Sequence, residues 1–96
     1  MPIERIIDKH IMLLLKEFNG RGLRFRDFFI AFSKRKTFHN QTNIWANLKF
    51  LLKQKKIVKV RGMTRHFYGI PLTRNDGSKY LIINQGLADE EIEVEA

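Results

Sequence analysis

Residues 37–68 read TFHNQTNIWANLKFLLKQKKIVKVRGMTRHFY, and this stretch contains the pattern that decides the fold. Apolar residues at helical spacing predict a helix that Asn40 or Thr42 caps and that ends near Gln54 among lysines. Residues 57–61 then alternate and are rich in Val and Ile, as strands are. A turn at 62–64 leads to a return strand over 65–70. The segment therefore predicts a polar helix followed by a basic hairpin.

A helical projection of this third predicted helix separates two faces. Ile44, Leu48, Leu51 and Leu52 lie on the inner side, with Trp45 at the margin. The outward side is predicted to hold Thr42, Asn43, Ala46, Asn47, Lys49, Phe50 and Lys53. Phe50 fits this polar face least, and a structural role is expected for it because aromatic side chains are mostly buried.

Two further helices are predicted upstream. Ile3–Phe18 has an amphipathic pattern and meets a stop signal at Asn19-Gly20. Its apolar face is unusually wide because Ile6 and Leu13 lie off the main stripe. These two residues are expected either to extend the core or to form a homodimer contact. A second helix is expected from a cap at Asp27 to about Lys36. Its run over 28–32 also suits a buried strand, but the basic residues that follow favour a helix.

The rest of the chain predicts one more strand and an acidic tail. A turn signal at 75–77 precedes a strand over 79–84. Residues 87–96 hold five acids and no bases, so residues 1–86 carry 18 bases and five acids, a formal charge of +13. We therefore expect one domain over 1–86 and a flexible acidic tail over 87–96. A domain this basic attracts polyanions such as nucleic acid.

The order of helix, helix, helix, strand, turn and strand resembles the winged helix-turn-helix family. The residues that carry the resemblance are TNIWANLKFLLKQKKIVKV followed by RGMTRHFYGI, within about Ile3–Leu72. It implies an α+β fold with three helices and a small antiparallel β wing, to which 79–84 adds a C-terminal strand. The chain departs from the family at Lys55-Lys56, where many members have Gly. It also departs after residue 78, where many relatives carry a dimerising helix.

The resemblance implies sequence-specific binding of double-stranded DNA, as a small transcriptional regulator and as a monomer or a homodimer. The recognition helix, about 41–54, would enter the major groove, and the wing, about 57–70, would contact the minor groove or the backbone. Asn43 and Asn47 could each pair with an adenine edge, and Lys or Arg side chains could bind phosphates. The predicted DNA-binding residues are Lys34, Arg35, Lys36, Gln41, Thr42, Asn43, Ala46, Asn47, Lys49, Lys53, Lys59, Arg61 and Arg65.

Several alternatives remain open. The Asn and Thr cluster suits a simple helix cap, and the cations suit a solvated face or a protected edge strand. The alternative function is a protein-interaction adaptor in a replication or transcription complex. The tail could fold back onto the DNA surface or bind a basic protein partner.

Other function classes find no support in the sequence. Without Cys or paired His spacing, no metal site, cofactor or enzyme activity is predicted. Without an apolar run long enough to cross a bilayer, no membrane association is predicted. The expected location is intracellular and cytoplasmic, nucleoid-associated in a prokaryote.

Overall fold

The computed structural model describes residues 6–35, 37, 39–86 and 88–94. The helices are α1 (Ile6–Glu17), α2 (Phe25–Lys34) and α3 (Gln41–Lys53). The strands are β1 (Val58–Arg61), β2 (His66–Gly69), β3 (Leu72–Thr73), β4 (Lys79–Asn84) and β5 (Asp89–Val94). The chain is a small α+β domain with three helices and antiparallel strands, as predicted at that level. The predicted start of the first helix, Ile3, lies outside the described residues.

The end of α1 confirms the predicted stop signal. Asn19 and Gly20 take positive φ angles of 35° and 85°, the left-handed conformation that glycine adopts most readily. A Cβ on Gly20 would come within 2.3 Å of the Leu72 side chain, so glycine is also required by packing. The Gly20 carbonyl accepts a hydrogen bond from the Ile82 N–H at 2.9 Å. The end of α1 is therefore joined to β4.

The start of α2 corrects the predicted cap. The helix begins at Phe25 after the N-cap residue Arg24, and Asp27 lies inside its first turn. The Asp27 carboxylate reaches back and accepts hydrogen bonds from the Arg24 N–H at 2.9 Å and from its guanidinium at 3.0 Å. A carboxylate at the third helical position thus satisfies the N–H of the N-cap residue, which is the reciprocal half of a capping box. The choice of helix over strand for 28–32 is confirmed.

Two antiparallel sheets follow the helices. In the β1–β2 hairpin, Val60 pairs with Phe67 and Arg61 with His66. The second sheet has the order β3-β4-β5. The predicted turn at 75–77 joins β3 to β4, and the predicted strand over 79–84 is β4.

Residues 89–94 of the acidic tail form a strand, which corrects the expectation of a flexible segment there. β5 pairs with β4 along its whole length, from Asn84 opposite Asp89 to Lys79 opposite Val94. Alternate residues of a strand share a face, so Ile92 and Val94 point the same way and pack against a buried cluster. In the sequence, Ile92 and Val94 stand among five acids, and this short alternation does not by itself predict a strand. In the described chain, the folded unit therefore extends to Val94.

The interior consists of two apolar clusters. The larger joins the three helices to Leu23, Ile57 and Tyr68. The smaller lies between the two sheets and contains Val60, Phe67, Leu81 and Ile83. The hairpin contributes to both clusters, so its orientation is set by the helices on one side and by β4 and β5 on the other.

Candidate nucleic-acid interface

The first turn of α3 presents three polar side chains that have no structural task within the described chain. Asn40 is the N-cap, and its Oδ1 accepts a hydrogen bond from the Asn43 N–H at 2.8 Å. The exposed side chains of Gln41, Thr42 and Asn43 make no hydrogen bond with any described residue. Capping therefore accounts for Asn40 alone. The other three amide and hydroxyl groups are available to a ligand.

The outward side of α3 divides into an uncharged half and a basic half. Thr42, Ala46, Lys49 and Lys53 recur at helical spacing and are all exposed, so they form one line along the helix. The negative end of the helix carries the lysines, which suits the helix dipole. This line places hydrogen-bonding and small side chains at the start of α3 and positive charge at its end.

Asn47 does not belong to this surface, and the prediction that its side chain faces outward is wrong. Only 4% of Asn47 is exposed, and its Nδ2 donates to the Asn43 carbonyl at 2.7 Å. Its Oδ1 has no hydrogen-bond partner among the described residues. α3 packs against both α1 and α2, so its buried face is wider than its apolar residues indicate. Phe50 is half-buried rather than fully outward, for the same reason.

Trp45 is part of the exposed surface, although the sequence placed it at the margin. The Lys49 ammonium lies over its ring, 5.0 Å from the centroid. Phe25 meets the indole nearly at right angles, with 5.8 Å between ring centroids. The Trp45 ring is therefore held in one orientation by α2 and lies beside a positive charge.

The β1–β2 hairpin presents cations on one face. Lys59 and Arg61 are exposed, and Val60 between them is buried, as the strand alternation predicts. Gly62 begins the turn, where a Cβ would come within 2.6 Å of Gln85 Oε1 and 2.7 Å of the Phe67 ring. Gln85 Oε1 also accepts a hydrogen bond from the Met63 N–H. The tip of the hairpin is thus braced by the residue that follows β4.

Arg65 lies at the hairpin turn beside a cleft of about 590 Å³ whose lining includes Arg24 and Asp27. Burial raises the pKa of Asp27, but hydrogen bonds from Arg24 and the charges of Arg24 and Arg65 lower it overall. Asp27 is therefore a carboxylate that reduces the positive charge of this corner.

The remaining predicted cations differ in their surroundings. Lys34 is exposed at the end of α2, whereas the guanidinium of Arg35 forms an ion pair with Glu17 at the end of α1. Lys36 lies outside the described residues. Lys55, between α3 and β1, takes a positive φ of 59°, a conformation that glycine adopts at lower cost than lysine.

Five carboxylates of the described chain form ion pairs with arginines that lie outside α3 and β1. Asp89 binds Arg21 through two hydrogen bonds of 3.0 and 2.9 Å, and these bonds and one from Asn84 lower the pKa of Asp89 to about 2. The Arg74 guanidinium holds Glu91 at 2.8 Å and Glu93 at 2.6 Å. In the described part of the chain, no carboxylate forms an ion pair with any of Lys53, Lys59 and Arg61.

Two of the three histidines meet, which their sequence separation did not predict. His10 Nδ1 and His39 Nε2 are 2.8 Å apart, so one ring donates and the other accepts. Burial, and then the charge of His10, lower the pKa of His39, which favours its neutral form. Across 6–35, 37, 39–86 and 88–94, no group of three or more His, Cys, Asp or Glu side chains could hold a metal ion. Within the same ranges, no helix is long and apolar enough to cross a membrane.

Comparison of this chain with protein-family models, with curated proteins and with solved structures finds no match.

Proposed function

We propose that the chain is a winged helix-turn-helix protein that binds double-stranded DNA. In this proposal α3 enters the major groove, where an α-helix fits and where side chains near its start reach base edges. The β1–β2 hairpin acts as the wing and lies against the minor groove or the backbone. A role as a small transcriptional regulator follows if the binding is sequence-specific.

The observation that carries the proposal is the set of unpaired cations on α3 and β1. Lys53, Lys59 and Arg61 have no ion-pair partner within the described residues. Five carboxylates of the described chain instead bind arginines that lie outside α3 and β1. Unpaired cations on α3 and β1, together with free amide groups at the start of α3, suit phosphates and base edges. The ionic contacts would supply affinity, and Gln41 and Asn43 would supply sequence preference.

The direct test measures binding of the full chain to random-sequence duplex DNA by fluorescence anisotropy at several salt concentrations. Each phosphate contact contributes about 0.9 to the slope of log affinity against log salt. The triple variant Lys53→Gln, Lys59→Gln, Arg61→Gln is expected to reduce the slope by about 2 to 3.

The matched control is Lys16→Gln. Lys16 is an exposed lysine in the last turn of α1, whose end is joined to β4. This control should leave the salt slope unchanged. If the triple variant and the control have equal slopes, the cations of α3 and β1 do not bind phosphates and the proposed surface is wrong.

A second candidate, a protein-interaction adaptor, is supported by the outer side of α1. Ile6 is 70% exposed and Leu13 is 58% exposed, and helical spacing places them on one face. Such residues suit contact with another protein or with a second copy of the chain. Leu13→Glu should then lower the molecular mass measured by sedimentation or abolish partner binding, with DNA affinity unchanged. No DNA binding by the wild-type chain at low salt would leave the adaptor as the better explanation.

A further inference from the structure

The start of α3 presents an exposed aromatic plate next to a cation. Trp45 is 41% exposed and is a member of neither apolar cluster, although it lies between the core residues of α3 in sequence. Ile44 and Leu48 fill the inner side of the helix and are fully buried. The interior is therefore complete without the exposed part of the indole, which leaves that surface free for a ligand.

The neighbours of Trp45 prepare it for a nucleotide rather than for an apolar partner alone. Phe25 fixes the ring edge-on, so its orientation is set before binding. Lys49, one turn along the helix, places its ammonium 5.0 Å from the ring centroid. An ammonium has three donors, so it can remain near the ring and still bind a phosphate oxygen. Ala46 follows Trp45 in sequence and is exposed. Its small side chain permits α3 to approach the floor of the major groove closely.

We infer that Trp45 is a specificity-determining residue that packs against the C5 methyl group of thymine in the major groove, with Lys49 on an adjacent phosphate. This inference rests on the proposed function and names the base that the start of α3 prefers. Thymine is the one base of unmodified DNA that shows an apolar group in the major groove. Contact between the indole edge and the methyl group removes apolar surface from water. Gln41 and Asn43, by contrast, recognise hydrogen-bonding groups.

The experiment begins with selection of bound sites from a random duplex pool, using the wild-type chain and Trp45→Ala. The sites selected by the wild-type chain should have thymine at one or two positions. The sites selected by the variant should show no base preference at those positions. Each of those thymines is then replaced by deoxyuridine, which keeps every hydrogen-bonding group and removes the methyl. Burial of one methyl group corresponds to a loss of about fourfold in wild-type affinity at each such position.

Two readouts separate this inference from a structural role of the ring. Trp45 is the single tryptophan of the chain, so its emission should shift on thymine-containing sites and shift less on the deoxyuridine sites. The control variant Phe29→Ala removes an aromatic of similar exposure, 37%, on α2. It should keep the thymine preference. The thymine-to-uracil ratio of the wild-type chain needs no variant, so the test does not depend on how well Trp45→Ala folds.

Each contrary result has a distinct meaning. Equal wild-type affinity for thymine and deoxyuridine sites, with duplex binding intact, overturns the thymine assignment and leaves the proposed function standing. Tighter binding to single-stranded oligo(dT) than to duplex also overturns it, in favour of stacking on unpaired bases. Absence of binding to any duplex overturns the proposed function and this inference with it.

Discussion

Two regions of the molecule differ in whether their cations are paired. Arginines that contact the three-stranded sheet pair with carboxylates, whereas cations on α3 and β1 do not within the described residues. On the three-stranded sheet, Arg21 and Arg74 hold the carboxylates of β5, and Arg74 also stacks on Tyr80 with 4.2 Å to the ring centroid. On α3 and β1, the described part of the chain provides no carboxylate within ion-pair distance of Lys53 or Arg61.

The difference shows that net charge is a poor guide to where a polyanion would bind. The formal charge of +8 belongs to the whole chain, whereas Arg21 and Arg74 at the sheet are paired with carboxylates and, within the described chain, Lys53, Lys59 and Arg61 are not. The acids of β5 contact Arg21 and Arg74, neither of which is a predicted DNA-binding residue. The idea that the tail shields the DNA surface therefore finds no contact to support it among the described residues.

We expect the greatest loss of stability when the chain is truncated after Gly86, which removes β5 from the sheet. The truncation removes Ile92 and Val94 from the smaller apolar cluster and leaves the edge of β4 unpaired. Partial burial of two aliphatic side chains corresponds to a loss of about 2 to 4 kcal/mol in the free energy of unfolding. Urea denaturation followed by circular dichroism measures it.

The matched control for the truncation keeps the strand and removes charge. Glu91→Gln with Glu93→Gln retains both apolar residues and should lose much less stability than the truncated chain. An unchanged denaturation midpoint after truncation would mean that β5 does not contribute to the fold and that the segment behaves as a flexible tail.

A smaller effect tests which residues of α3 belong to the candidate DNA-binding surface. Asn47→Leu replaces a buried amide whose Oδ1 lacks a described partner, so we expect a gain of about 1 kcal/mol in stability. The same substitution should leave DNA specificity unchanged. Asn43→Ala should do the reverse, with stability unchanged and discrimination among DNA sites reduced by about 1 to 3 kcal/mol. Equal losses of DNA specificity from both variants would show that Asn47 turns outward on binding.

We expect the weakest effect from Asp89→Asn, which should make the stability of the chain less dependent on pH in acid. The pKa of Asp89 is lowered from 3.8 to about 2 in the folded chain by hydrogen bonds from Arg21 and Asn84. The unfolded state therefore binds more protons between these two values, so stability falls as the pH falls from about 4 to 2. Thermal unfolding at pH 5, 3 and 2 should show a shallower decline for Asp89→Asn. Identical declines would indicate that the Arg21–Asp89 pair does not stabilise β5.

Local patterns predicted the elements that depend on local chemistry. The stop at Asn19-Gly20, the Asn40 cap and the strand over 79–84 each follow from backbone conformation or capping within a few residues. The position of Asn47 could not be predicted in this way, because a helical projection assumes one buried face and α3 has neighbours on two sides. The same limit applies to the candidate site, where Arg35 and Arg65 are adjacent to carboxylates that are distant in sequence.

Composition and short-range periodicity suffice to predict the α+β class, the order of three helices before the strands, and the excess of basic residues, so these follow from the sequence alone. Residues 89–94 form a strand because of long-range packing, since Ile92 and Val94 are stabilised by burial against the cluster of Leu81 and Ile83. The tertiary structure also decided which cations remain unpaired, because ion pairs depend on distances between segments that no local pattern encodes. The stretch over residues 37–68 therefore predicted a helix and a hairpin, and the packing of the rest of the chain determined which of their side chains face outward.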